Sequence, residues 1–171
     1  MARKLVRPLR IGVIGSAEAT AAGEEVAQAV GRALALAGAV VVCGGGGGVM
    51  EAASAGASEA GGLVIGFLPG TDANACAAGV TIPIATGLGE MRNALIVRAS
   101  EALIAIEGEW GALNEAALCM KIGKPLVGIR DALGERFPIE RFDEPAAAVA
   151  RAVELASERR YSNGGAKLTT R

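Results

Sequence analysis

The stretch VVVCGGGGGVMEAA, residues 40–53, decides the fold. Four apolar residues run straight into five glycines, and an alanine-rich helical pattern follows with no linker between them. A short apolar run bounded in this way reads as a strand buried on both faces. A glycine turn between such a strand and a helix exposes main-chain N–H groups at the positive helix end. An anion there gains hydrogen bonds and a dipole attraction of about 0.3–1 kcal/mol. Side chains would block its approach. Gly44, Gly45, Gly46, Gly47 and Gly48 are therefore candidate ligand-binding residues, with Met50 beside them.

The pattern repeats outward from this point. An apolar run at 11–14 ends at Gly15-Ser16, a second candidate turn. Residues 24–36 read as a helix with Val26, Ala29, Val30 and Ala33 on one stripe, stopped by Gly38. The helix after the glycine run covers about 49–60, and a third strand covers 63–68. Residues 71–79 form a loop. The next strand, 80–84, contains Pro83, which has no N–H to give a ladder and so belongs at an edge. A helix at 90–100, a strand at 102–106, a helix at 113–122 and a last strand at 125–129 follow. Residues 131–145 read as irregular and 146–158 as a final helix. Residues 159–171 read as a polar, flexible tail.

Strands alternating with helices imply right-handed crossovers and a parallel sheet covered on both faces. The expected fold is α/β: a Rossmann-like three-layer αβα sandwich with a mainly parallel sheet, in a single domain over residues 1–158. Of the 171 residues, 51% are hydrophobic but only 3% aromatic, so the core must be aliphatic.

Composition narrows the function. A net charge of −1 supplies no field for nucleic acid. No apolar run approaches the roughly 18 residues of a membrane span. The basic-then-apolar opening MARKLVRPLRIGVIGS has too short an apolar part for a signal peptide and reads as a first strand, so a cytoplasmic location is expected. Cys43, Cys76 and Cys119 are widely spaced and odd in number, which argues against zinc ligation and a disulfide framework. The chain has no histidine, so any acid–base chemistry falls to carboxylates, Lys, Tyr or Cys. No metal site and no required cofactor are expected.

Two further segments carry candidates. TGLGEMRNALIV, 86–97, places Arg92 and Asn93 at a helix start, with Thr86 ahead of them. AIEGEWGALNEAALCMKIGKP, 105–125, places Gly108, Glu109, Trp110, Gly111 and Ala112 around another helix start and Glu115 about one turn inside it. A carboxylate near a helix N-terminus is favoured when ionised; it serves equally as a solvated charge that complements the dipole. Trp110 reads as a packing residue or a ligand platform. The glycine run matches neither a dinucleotide fingerprint with its ribose-binding acid nor a P-loop, so NAD and ATP find little support.

The order of VVVCGGGGGVMEAASAGASEAGG, TGLGEMRN and EGEWGALNEAALCMKIGKPLVG resembles a superfamily that includes the molybdenum cofactor carrier proteins and the Lonely Guy phosphoribohydrolases. The resemblance covers about residues 9–130. Many members carry the label "possible lysine decarboxylase", which the family chemistry does not support. Phosphoribohydrolases have an M-x-x-R-K motif and a P-G-G-x-G-T-x-x-E motif. Arg92 matches the arginine of the first, with Asn93 in the place of lysine. Gly108, Gly111 and Glu115 match the second, while Glu107, Glu109 and Ala112 replace its proline, second glycine and threonine. Glu109 puts a carboxylate where phosphate-accepting backbone should lie, and Ala112 lacks the hydroxyl.

These departures favour the carrier-like branch. What the resemblance implies is a binding protein for a small phosphate-bearing molecule, either the molybdenum cofactor (a pterin) or a nucleotide. Gly15, Ser16, the two glycine turns and Arg92 would line its anion site. Two alternatives stand beside it. One is a nucleoside 5′-monophosphate phosphoribohydrolase with Arg92 and Glu115 catalytic. The other is an oligomeric scaffold with a vestigial pocket. Leu95, Ile96 and Val97 stand in a row, more apolar surface than one helix face needs, and suggest a homo-oligomer, dimer or tetramer.

Overall fold

The computed structural model describes residues 7–164, the last three by backbone alone. Seven strands form one sheet: β1 (Arg10–Ile14), β2 (Val40–Cys43), β3 (Val64–Leu68), β4 (Ile82–Ala85), β5 (Ala102–Ala105), β6 (Leu126–Ile129) and β7 (Glu140–Phe142). Their order is β4-β3-β2-β1-β5-β6-β7, and every neighbouring pair is parallel. Five helices cover it: α1 (Ala21–Leu36), α2 (Val49–Glu59), α3 (Asn93–Ala99), α4 (Trp110–Ile122) and α5 (Pro145–Gly164). The α/β sandwich expected from the alternating pattern is the observed fold.

Strand periodicity divides the core in two. Ile11, Val13, Val41, Cys43, Ile104, Val127 and Ile129 point to the face covered by α1, α2 and α5. Ile14, Val42, Leu103, Ala105 and Leu126 point to the face of α3 and α4. On the first face α1 and α2 approach without side chains between them. A Cβ at Gly31 would stand 1.9 Å from the Ala53 carbonyl oxygen, and one at Gly56 would stand 2.0 Å from that of Gln28.

Several boundaries differ from the sequence reading for local reasons. Helix α1 begins at Ala21 rather than 24 because Thr20 caps it, its hydroxyl accepting from Gly23 N at 3.0 Å. The expected helix at 90–100 is split into a 3₁₀ turn, Gly89–Arg92, and α3. Pro83 does lie in an edge strand, β4. The segment read as irregular contains β7, which adds to the open edge of β6. Helix α5 continues to Gly164 instead of ending at 158; of the expected tail, 165–171 lie outside the described residues. Ile96 and Val97 are spent in the core under α3 and Leu95 is half-buried, so the row offers less free apolar surface than its sequence suggests. Among the described residues no helix is long and apolar enough to cross a membrane.

Candidate functional site

After β1 the chain builds one half of the sheet through β2, β3 and β4, then crosses back to β5 and builds the other half. The loops leaving β1 and β5 therefore diverge, and the carboxyl end of β1 becomes a topological switch point, where open parallel sheets hold their ligands. A cavity of about 230 Å³ sits there. Gly15, Ser16 and Ala17 line it from β1, and Met50 from α2. Glu90, Arg92 and Asn93 form a wall at the start of α3, and Glu109, Gly111, Ala112 and Glu115 form the facing wall on α4.

The structure thus brings together nine of the candidates taken from the sequence: Gly15, Ser16, Met50, Arg92, Asn93, Glu109, Gly111, Ala112 and Glu115. Ala17 and Glu90 were missed. Glu90 lies two residues before Arg92 in the same motif, and Ala17 directly follows the first glycine turn, so their positions carried the signal.

The five glycines stand behind this cavity rather than in its lining. Gly45 and Gly48 have φ of +72° and +60°, where a side chain is strained. A Cβ at Gly48 would also stand 2.5 Å from the carbonyl oxygens of Ser16 and Ala17. Val49 N donates to Ser16 O at 3.0 Å, and Ala77 N to Gly45 O at 2.9 Å, so the run threads between neighbouring loops. Gly44 packs against Met50 and Arg92, and Gly46 lies nearest Met50. Gly47 lies nearest the Ala17 carbonyl, and Gly48 opens onto a separate groove with Glu24, Glu25 and Glu51. The Ser16 hydroxyl is spent on its own loop, donating to Glu18 O at 2.8 Å and accepting from Glu18 N at 3.0 Å.

The remaining candidates lie apart. Thr86 Oγ1 donates to Leu68 O at 2.7 Å and accepts from Leu88 N at 3.2 Å, which holds the loop after β4. Trp110 is 84% exposed and does not line the cavity. Gly108 packs on Leu133 and lines a larger space of about 530 Å³ beyond β5 and β6. Glu107, which stands where the phosphoribohydrolase motif has proline, folds back onto α1: Thr20 donates to it from N at 3.1 Å and from Oγ1 at 2.5 Å.

Two buried groups give the cavity its chemistry. Arg92 Nη1 donates to Asn93 Oδ1, while its Nε is buried with no hydrogen-bond partner among the described residues. Glu115 is only 5% exposed, and no hydrogen bond engages its carboxyl among the described residues. Burial pushes its pKa up to about 8. Arg92 pulls the other way without closing an ion pair on it, and Glu90 adds to the rise. Near neutral pH Glu115 is therefore mainly protonated and can donate a hydrogen bond. Burial also raises the Cys43 thiol, and with Glu115 it pushes Cys119 up to about 12, so neither supplies a thiolate at neutral pH. Among the described residues no group of three or more His, Cys, Asp or Glu is placed to hold a metal ion.

Fold and cavity together define a doubly wound α/β domain whose candidate site lies where its two half-sheets part. The chain belongs to the SLOG cluster4 family, whose profile matches residues 8–157. It is 40% identical over 122 residues to an uncharacterized protein of Archaeoglobus fulgidus, covering 71% of this chain and 80% of that one. Among solved structures it is similar to the molybdenum cofactor binding protein of the phototrophic bacterium Rippkaea orientalis. That match has 34% identity and a TM-score of 0.78, over 93% of this chain and 99% of the other. It is also similar to the molybdenum cofactor carrier protein of Chlamydomonas reinhardtii, with 31% identity and a TM-score of 0.79, over 88% and 99% of the two chains.

Proposed function

We propose that this chain is a carrier-type binding protein that holds a phosphate-containing ligand, a pterin cofactor or a nucleotide, in the cavity between α3 and α4. One observation carries the reading: Arg92 and the buried Glu115, whose carboxyl no hydrogen bond engages among the described residues, line opposite walls of one cavity. A guanidinium and a mainly protonated carboxyl lining one cavity suit a ligand whose oxygens accept from both. Arg92 and the first-turn amides of α4 suit the phosphate, and protonated Glu115 suits one of its oxygens or a neighbouring acceptor. The likeness to molybdenum cofactor binding and carrier proteins supports the pterin as cargo. The same reading takes the chain as cytoplasmic and its working assembly as a homo-oligomer.

The test is thermal melting of the purified protein with pterin and nucleoside monophosphates. A ligand at 100 times its Kd adds about 2.7 kcal/mol to stability. No shift with any phosphate compound would falsify the reading. Native mass spectrometry of freshly purified protein adds a direct readout, a co-purified mass in the same range.

A second reading, an N-glycosidic phosphoribohydrolase, is favoured by the juxtaposition of Arg92 and Glu115. In that reaction water adds at C1′ and the base leaves with a proton. A carboxyl with a pKa of about 8 is suited to supply that proton, with Arg92 holding the phosphate. Free base released from nucleoside 5′-monophosphates, and lost in Glu115→Gln, supports turnover. No release across the purine series removes it.

A further inference from the structure

The loops leaving β1 and β5 are joined once more after their strands part. Strand pairing ends with Ile106 N donating to Ile14 O at 3.1 Å. Glu107 then turns towards α1 and accepts from Thr20 N at 3.1 Å and from Thr20 Oγ1 at 2.5 Å. Each carboxylate oxygen takes one donor, and a charge-assisted pair of this kind fixes orientation as well as distance. The carboxylate also lies at the positive end of α1, where a negative charge is favoured. Helix α1 leaves room for it: a Cβ at Gly23, in the first turn, would collide with the Glu107 carboxyl atoms. A proline at this place, as in the phosphoribohydrolase motif, has no side-chain group to accept either bond.

The two sides of this clasp are anchored unequally. The β1 loop is tied to itself through Ser16 Oγ and Glu18, to α2 through Val49 N and Ser16 O, and to α1 through the Thr20 cap. The segment that leads from β5 into α4, residues 106–109, has less to hold it. Gly108 packs on Leu133, and Glu109, the N-cap residue of α4, makes no side-chain capping bond. The first turn of α4 presents Glu109, Gly111 and Ala112 to the cavity, two residues after Glu107. Its tie to the firm β1 loop runs through the Glu107 side chain.

We propose that Glu107 is a positioning residue of the phosphate site: by clasping Thr20 it holds the first turn of α4 against the β1 loop, in the shape the ligand binds. The inference rests on the phosphate-binding reading above and adds what sets the geometry of the site. A preformed site loses little affinity to ordering. Without the clasp the first turn of α4 opens more often, and the ligand must order it on binding.

The experiment compares the full chain with three variants. Glu107→Gln keeps the size of the side chain but turns one acceptor into a donor that meets a donor of Thr20. Gly23→Ala leaves Glu107 in the chain and puts a methyl group where its carboxylate lies; alanine suits a helix better than glycine, so the fold is not expected to weaken. Thr20→Ser keeps both donors and is the conservative control. Amide hydrogen exchange follows Leu113 N–H, which donates to Glu109 O at 2.9 Å as the first helical bond of α4, alongside the amides of α5. Calorimetric titration uses AMP, GMP and ribose 5-phosphate. In Glu107→Gln and Gly23→Ala, Leu113 is expected to exchange about tenfold faster while α5 exchanges as in wild type. Both variants are expected to bind the probes about tenfold more weakly. Thr20→Ser should match wild type in both readouts. Faster exchange throughout, α5 included, would reveal a merely stabilising contact and overturn the inference. Unchanged exchange at Leu113 overturns it too. Unchanged affinity in the two variants overturns it while leaving the phosphate site standing. If wild type binds none of the three probes, the phosphate reading itself fails and this inference fails with it.

Discussion

Gly44 leaves the space that the Arg92 guanidinium occupies: a Cβ at position 44 would stand 2.7 Å from Arg92 Nη2 and 2.6 Å from Met50 Sδ. Both neighbours are the far ends of flexible side chains, so Gly44→Ala is expected to fold with little loss of stability while pushing Arg92 out of its place. Affinity for a phosphate ligand should drop about tenfold, which is about 1.4 kcal/mol. Titration of the variant with a ligand that stabilises wild type checks this, with a melting curve as the folding control. Unchanged affinity would separate the glycine run from the site.

Glu115 makes stability fall as pH rises. Its folded pKa of about 8 lies above the ordinary value of 4.5. Between those two values the folded state holds a proton that the unfolded chain has lost. The favourable contribution is complete below about pH 4.5, declines through the window and is gone above about pH 8. One proton contributes a slope of up to about 1.4 kcal/mol per pH unit. Urea unfolding at pH 5.5 and pH 8.5 is the measurement, and Glu115→Gln should remove this component of the slope. Parallel profiles for variant and wild type would mean that the carboxyl is not held protonated.

The contact of α1 with α2 depends on hydrogen atoms where side chains would be. Gly31→Ala and Gly56→Ala each place a methyl group about 2 Å from a carbonyl oxygen of the facing helix. Backbone cannot yield as a side-chain tip does, so each should destabilise by about 1–3 kcal/mol. For a domain of this size that lowers Tm by about 2–4 °C per kcal/mol. Gly70→Ala, at a position with nothing within 4 Å, is the control and should melt close to wild type. Equal melting of all three would show that the helices can move apart freely.

Glu101 ties the C-terminal helix to the start of the sheet. Its carboxylate accepts from Arg10 N at 2.7 Å and from Arg160 Nε and Nη2 at 2.9 and 2.5 Å, and its side chain is 16% exposed. Removing it leaves the Arg10 amide and Arg160 Nε without their acceptor, while Arg160 keeps its bonds to the carbonyl oxygens of Arg7 and Pro8. Glu101→Ala is expected to cost about 1.5–3 kcal/mol, the range for hydrogen bonds to charged groups. The effect should persist in high salt because the carboxylate is shielded from solvent. A loss that vanishes at 1 M salt would reduce the contact to a surface ion pair.

The layered α/β architecture was legible in the chain because its signals are local. The run Val40–Cys43 is apolar at every position, as a doubly covered strand must be, and Pro83 marks an edge by lacking one hydrogen. The glycines were legible as a tight turn as well, since backbone at φ of +60° and +72° needs residues without Cβ. Their place behind the cavity was not. It depends on Ser16, Ala17 and Leu68, which arrive from other loops and strands. The three-residue β7 escaped notice for a related reason: its stretch Glu140–Phe142 has little apolar pattern of its own, and the open edge of β6 makes it a strand.

Arg92 and Glu115 could be named from sequence as candidates, 23 positions apart, but nothing in either motif states that they face one cavity. Neither does any motif state that Glu115 holds its proton. Helix and strand periodicity is a property of neighbours along the chain, and residue order specifies it. Desolvation, cavities and unpaired donors arise from groups distant in sequence that packing brings together, and only the folded arrangement of α3 against α4 over the end of β1 decided them.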